Sequence, residues 1–140
     1  MTRGSRLPSC PICTRGEPLD LIGELPAVWI TAPEATPLPG SLCLVAKRHV
    51  REPFELPEDE RGQFWADIDM VAKAVSEQLQ PSKINYEIHG NTLDHLHLHL
   101  YPRSPGDRFE GMPIDGASRH SRSTEDLARL RELVASLHRG

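Results

Sequence analysis

His95-Leu96-His97-Leu98-His99-Leu100-Tyr101 is the stretch on which the reading of this chain turns. Histidine and leucine alternate, which is the period of a β-strand. In an extended strand, His95, His97 and His99 share one face and Leu96, Leu98 and Leu100 share the other. The leucines need a core, while the imidazoles line a second surface, a costly choice for a plain sheet. A core on one side only points to an antiparallel sheet. Ile84 to His89 is the expected partner strand, with Gly90-Asn91 as the turn before His95.

Geometry limits what the three histidines can do together. Alternate side chains leave one strand about 6.5–7 Å apart. Two nitrogens on one zinc, each at about 2.0 Å, lie no more than roughly 4 Å apart. Three histidines from one straight strand do not easily share a metal, so different histidines are expected to do different jobs. Neutral imidazole serves as nucleophile, general base or metal ligand, and the hydrogen bond to its other nitrogen selects among these.

Outward from this strand, the longest helical pattern runs from Pro57 to Gln80. Phe64, Ile68, Val71, Ala72, Val75 and Leu79 recur at three- and four-residue steps. Glu58, Asp59 and Glu60 place acid in the first turn, and Pro81 stops the helix. Residues 19–25 and 27–31 read as two short strands split near Pro26, and 41–46 as a compact apolar strand. Residues 32–40 hold three prolines and a glycine and read as a loop. Pro102 to about residue 120 is expected to be an ordered loop over a site. Ser123-Thr124-Glu125-Asp126 can cap a helix over 123–138 that carries Leu127, Leu130, Leu133, Val134 and Leu137. The expectation is an α+β fold in one domain of 140 residues, with 1–9 loosely held.

Sixteen Lys and Arg against 20 Asp and Glu leave a net charge of −4, which argues against a nucleic-acid binder. Aromatics at 5% disfavour a base-stacking platform. No apolar run is long enough to span a membrane, and the N-terminus shows no signal-peptide pattern. Three cysteines are too few for a disulfide framework, so a cytoplasmic setting is expected.

Cys10-Pro11-Ile12-Cys13 is a Cys-x-x-Cys turn whose two thiolates can bind one metal. A redox pair is the rival reading, but the βαβ context of a thioredoxin-like site is absent. His49 and His95 are the best candidates for the two remaining ligands of a tetrahedron. Four protein ligands would leave no open position, so such a site would be structural. Cys43 lies in an apolar strand and reads as core.

The triad strand resembles the His-φ-His-φ-His-φ-φ signature of the histidine triad (HIT) superfamily of nucleotide hydrolases and transferases. Pro39-Gly40-Ser41 through Lys47-Arg48-His49 resembles that family's Pro-Gly-His strand and Lys-x-His turn, with Ser41 where many members carry His. Asn85 before the triad and Pro102-Arg103 after it fall in the family's order. The resemblance covers about Cys10 to Arg103 and implies a HIT-like antiparallel sheet with one long helix and a C-terminal helix.

It also implies roles. His97 matches the nucleophile that attacks a nucleotide α-phosphate, giving a nucleotidyl-histidine that water or another acceptor displaces. His99 matches the position beside the phosphate, where an imidazole can donate to its oxygens or to the leaving group. Asn85 and Asn91 are expected near ribose or phosphate. Some members hold zinc with a Cys, Cys, His, His set that includes the first triad histidine, here Cys10, Cys13, His49 and His95. A homodimer through the long helix and the sheet edge is the implied assembly. Where many members carry Gly-Gln-Ser or Gly-Gln-Thr, this chain has Gly90-Asn91-Thr92 on a shorter connection. The leading expectation is a hydrolase of dinucleoside polyphosphate or nucleoside phosphoramidate type. A nucleotidyltransferase or phosphorylase using the same intermediate, and a catalytically silent nucleotide-binding module, are the alternatives.

Other residues carry plainer readings. His89 is as readily a solvated or core histidine as a pocket residue, and His120 and His138 read as surface. Arg103, Arg119 and Arg122 read as solvated more readily than as phosphate contacts. Trp29 reads as core packing, and Trp65 as packing or a subunit contact.

Overall fold

The leucines of the alternating strand meet the apolar stripe of the long helix, and this contact organises the protein. The computed structural model describes residues 9–139. Residues 1–8, most of the stretch expected to be loose, lie outside the described residues.

Helix α1 (Pro11–Arg15) is followed by β1 (Leu21–Glu24), β2 (Val28–Thr31), β3 (Ala35–Thr36) and β4 (Leu42–Ala46). A short 3-10 turn at Pro53–Glu55 leads into α2 (Glu58–Leu79), then β5 (Lys83–Ile88), β6 (His97–Arg103), β7 (His120–Ser121) and α3 (Thr124–Leu137). Five strands form one antiparallel sheet in the order β1-β2-β4-β6-β5. The fold is α+β. Helix α2 lies against β6, and α3 packs on both α2 and β1.

One face of the sheet is the core. Val28, Ile30, Leu42, Leu44, Leu98 and Leu100 pack there with Phe64, Ile68, Val71 and Val75 of α2 and Leu130, Leu133 and Val134 of α3. Two buried carboxylates tie the layers together. Asp67 on α2 accepts from the Ala27 backbone N–H at 2.7 Å and from Gln63 Nε2 at 2.7 Å. Asp126 on α3 accepts from the Gly40 N–H at 3.1 Å and from Arg122 Nη1 at 2.6 Å. Gly40 has φ +81°, and a Cβ there would stand 3.0 Å from both Leu79 and Pro102, so this corner requires glycine.

Two boundaries differ from the sequence reading. The triad strand begins at His97 rather than His95, and it runs on to Arg103. His95 precedes it at a bend, where the Leu96 N–H reaches Val50 O and the Ala46 N–H reaches Leu96 O. The loop of 32–40 also contains β3, which pairs with β7 from far along the chain.

Candidate active site and metal centre

The sheet's second face carries the chemistry, in two adjoining regions. At the first, α1 sits over β2 and β4. Cys10, Ile12 and Cys13 pack there with Cys43 and Val45, against Trp29 and Leu93. Burial pushes the Cys43 thiol up to about 12, so it stays protonated and apolar in behaviour.

Cys10, Cys13, His49 and His95 converge in this region and can hold a metal. Their ligand atoms all lie within 4.8 Å of one another, and all four residues are buried. Cys10 Sγ lies 3.5 Å from His95 Nδ1, Cys13 Sγ 3.4 Å from His49 Nδ1, and the two Nδ1 atoms 3.0 Å apart. A tetrahedral ion with bonds of about 2.0–2.3 Å has ligand–ligand edges of roughly 3.4–3.8 Å; these two sulfur–nitrogen separations match it, and the nitrogen pair stands closer.

The donor set fits a cation on chemical grounds as well. His95 Nε2 is 2.7 Å from the Ala46 carbonyl, which accepts only, so Nε2 carries the proton and Nδ1 is a lone pair. That lone pair faces a second imidazole nitrogen and two sulfurs in a buried space. His49 Nε2 has no hydrogen-bond partner and is buried, with Asp94 Oδ1 3.9 Å away across the surface. A carbonyl or carboxylate behind each ligating imidazole is the usual way its metal-facing nitrogen is selected.

The second region is a cleft of about 500 Å³ on the same face, lined by His97, His99 and Tyr101 of β6, Glu87 of β5, and His89 to Leu93 of the following turn. His97 Nδ1 lies 2.7 Å from the His95 carbonyl. The carbonyl must accept, so Nδ1 carries the proton and Nε2 keeps the lone pair. The bend at His95 thus fixes the tautomer of His97.

His99 stacks on Tyr101 with rings 4° from parallel and centroids 5.5 Å apart, and meets His97 edge-on at 5.2 Å. Burial, with added repulsion from His97, His89 and Arg119, pulls His99 down to about 4. It is therefore neutral at pH 7 in the ligand-free protein. Burial likewise raises the Tyr101 hydroxyl to about 12.

The structure separates the two asparagines. Asn91 lines the cleft beside His97 and His99. Asn85 shares the sheet face but opens on a neighbouring depression with Met112 and Pro113, and its Oδ1 accepts from Arg103 Nη1 at 2.9 Å.

The arginines also divide. Arg103 is half-buried and spends its donors on Asp107, Asn85 and the Phe109 and Met112 carbonyls. Beside it, the Asp107 carboxyl is held down at about 2. Arg122 is 2% exposed, and donates to Asp126 and to the Pro33 and Ser41 carbonyls. Neither is solvated, contrary to the sequence reading, because each satisfies main-chain oxygens of segments without regular structure. Arg119 is exposed and lines the cleft, together with Thr36, Ile114 and Gly116. The β3–β7 pairing brings this wall to the site.

Sequence reasoning left Glu87 and His89 out of the site. Glu87 lies opposite His99 in the β5–β6 ladder, and His89 Nε2 is 2.8 Å from Glu87 Oε1. The signal was present, since Glu87 near the end of β5 and His89 just beyond it are two residues apart, as the triad histidines are.

Comparison with known proteins agrees with this arrangement. The family model described as the HIT domain matches residues 15–106. A bis(5'-adenosyl)-triphosphatase of Dictyostelium discoideum is 28% identical over 75 residues, 50% of each chain. The chain spans about half the length of the curated relatives it matches. The crystal structure of a histidine triad protein from Bradyrhizobium japonicum superposes with TM-score 0.72 at 23% identity, covering 83% of this chain and 87% of that one. A zinc-bound histidine triad family protein from Mycobacterium smegmatis superposes with TM-score 0.67 at 22% identity, covering 94% of each chain. No helix among the described residues is long and apolar enough to cross a membrane.

Proposed function

The chain belongs to the HIT domain family, and on that premise we propose that it hydrolyses nucleotides at the α-phosphate through a nucleotidyl-histidine on His97. The observation that carries this is the His97 tautomer. Its Nδ1 proton is engaged by the His95 carbonyl, which leaves Nε2 as a neutral, nucleophilic lone pair beside an open cleft.

In the first step, His97 Nε2 forms a bond to phosphorus while the bond to the leaving group breaks. In the second, water displaces the imidazole and a mononucleotide is released. His99, neutral in the free protein, gains proton affinity when an anionic phosphate binds beside it, and then donates to a phosphate oxygen. Asn91 is proposed to contact phosphate or ribose from the turn. Asn85 is proposed to reach the ribose with its amide nitrogen, since its oxygen is held by Arg103.

We propose zinc as the metal of Cys10, Cys13, His49 and His95. The soft thiolates with imidazoles favour it, and two buried Nδ1 atoms 3.0 Å apart call for a cation between them. When bound it supplies a structural clamp, holding α1 to the start of β6 and thereby fixing the His95 carbonyl behind His97. The proposed assembly is a homodimer through the β5 edge, supported by Tyr86 and Ile88 on that strand and Trp65 and Met70 on α2, all exposed. Light scattering that returns a monomer mass defeats the homodimer proposal.

The test of the activity is mononucleotide release from a panel of dinucleoside polyphosphates and nucleoside phosphoramidates, with and without inorganic phosphate. Release without added phosphate supports hydrolysis; dependence on phosphate replaces it with phosphorolysis. Binding without release from any member of the panel leaves the silent binding module as the reading.

A further inference from the structure

The cleft contains a second acid–base unit that the triad does not include. Glu87 near the end of β5 and His89 just after it both line the cleft, with His89 Nε2 2.8 Å from Glu87 Oε1. Glu87 is 23% exposed and His89 51%. The carboxylate accepts, so Nε2 carries a proton and the ring is held by one edge. Its other edge, Nδ1, is left for whatever enters the cleft. The His89 ring centroid is 5.8 Å from that of His99, which is 5.2 Å from that of His97. The His97 and His89 rings thus both neighbour that of His99 in one cleft.

An in-line displacement at phosphorus asks for a proton donor besides the nucleophile. The leaving atom departs opposite the attacking nitrogen, so its proton donor stands beyond the phosphate as seen from the nucleophile. With His97 as the attacking group and His99 beside the phosphate, His89 is the cleft imidazole left for the departing atom. The tight Gly90-Asn91-Thr92 connection begins directly after His89, which keeps the ring at the cleft wall.

We propose that His89, oriented by Glu87, is a further catalytic residue that protonates the leaving group. This rests on the hydrolase reading and deepens it. Protonated His89 gives its Nδ1 proton to the departing nitrogen or oxygen as the bond to phosphorus breaks and His97 becomes nucleotidylated. Neutral His89 then takes a proton from the water that attacks phosphorus, and the original protonation state returns. No electrons are exchanged, and water is the only co-reactant. Glu87 holds the ring in place and offsets its charge while it is an imidazolium.

Two probes with the same nucleotidyl group and different leaving groups test this on the full chain. The p-nitrophenyl ester of AMP expels a stable phenolate that needs no proton. An alkylamine phosphoramidate of AMP expels an amine that must be protonated. His89→Gln is expected to lower turnover of the phosphoramidate by about 10²–10⁴-fold, and of the aryl ester by less than tenfold. Glu87→Gln is expected to show the same selectivity with a smaller loss. Equal losses on both probes overturn the proposal, as does a selective loss in Thr92→Val with none in His89→Gln. Full turnover by His97→Ala, or no turnover of either probe by the unaltered protein, defeats the hydrolase reading itself. Unchanged metal content and melting temperature in His89→Gln exclude a folding cause.

Discussion

His95 and His97 are two residues apart, and their surroundings differ in almost every respect. His95 is 1% exposed, locked to the Ala46 carbonyl through Nε2, and turned toward two thiols and another imidazole. His97 opens on a cleft, locked through Nδ1 to the His95 carbonyl. Each ring has one nitrogen committed to a backbone oxygen and one left with a lone pair. Which nitrogen is committed differs, and so does what the lone pair meets. Under the proposed function, the closed set of ligands makes a clamp, while the open cleft makes a nucleophile. Both rings stay on the sheet's second face, and the bend before β6 accompanies the difference, with His95 beside the cysteines and His97 in the cleft.

The largest expected effect comes from removing the proposed nucleophile. His97→Ala should reduce nucleotide turnover by about 10⁴-fold or more, because a missing nucleophile removes the covalent route altogether. The ring faces the cleft and not the leucine core, so metal content and melting temperature should stay near those of the unaltered protein. The direct measurement is trapping. An acid-labile, base-stable label from an α-phosphorus-labelled nucleotide should attach to the unaltered protein and be absent from His97→Ala. A retained label would merge the two regions that the comparison separates.

His95→Ala should break the comparison from the other side. It is expected to lose the metal and, with it, about 3 kcal/mol or more of stability, a fall in melting temperature of roughly 10 °C. Cys10→Ala should do the same. Metal analysis and thermal unfolding, run together, decide it. Full zinc content in either variant would remove that residue from the ligand set. Some activity should also be lost in His95→Ala, because the clamp holds the carbonyl that orients His97.

His99→Ala falls between these. A donor to phosphate oxygens contributes about 10²–10³-fold in rate, so turnover should drop by that amount with zinc content intact. A loss equal to that of His97→Ala would make His99 part of the covalent step.

Much of this was legible in the residues. The alternation over 95–100 gave the core face and the antiparallel pairing, because a period of two admits few structures. Phe64, Ile68, Val71 and Val75 gave the long helix for the same kind of reason. Cys10 and Cys13 suggested a metal by their spacing, and the family resemblance supported His49 and His95 as the partners that the structure brings beside them. The bend at His95 was not legible, because it depends on the backbone of Val50 and Ala46 across the sheet. Nor was the cleft's outer wall. Arg119 and Thr36 meet only because two residues at 35–36 pair with two at 120–121, too short a signal for any periodicity. Arg103 and Arg122 are held against the protein by hydrogen bonds to loop carbonyls, and no local pattern announces those either.

The smallest expected effect is a pH dependence confined to the open region. The ordinary histidine value near 6.5 applies to the unfolded chain, while folded His99 stands at about 4. Between these values the unfolded state binds a proton that the folded state does not. The stabilisation is therefore complete above pH 6.5 and is lost as pH falls toward 4. Because the ring is partly exposed, the contribution is on the order of 1 kcal/mol, about 3 °C in melting temperature. Acid also releases a metal held by thiolates and imidazoles, and that larger loss is common to any variant that keeps the ligand set. The measurement is thus a difference. Between pH 7 and pH 5, His99→Gln should lose less melting temperature than the unaltered protein, with equal zinc at pH 7. Parallel pH profiles would mean that acid sensitivity belongs wholly to the closed cluster, and that His99 titrates as a solvated group.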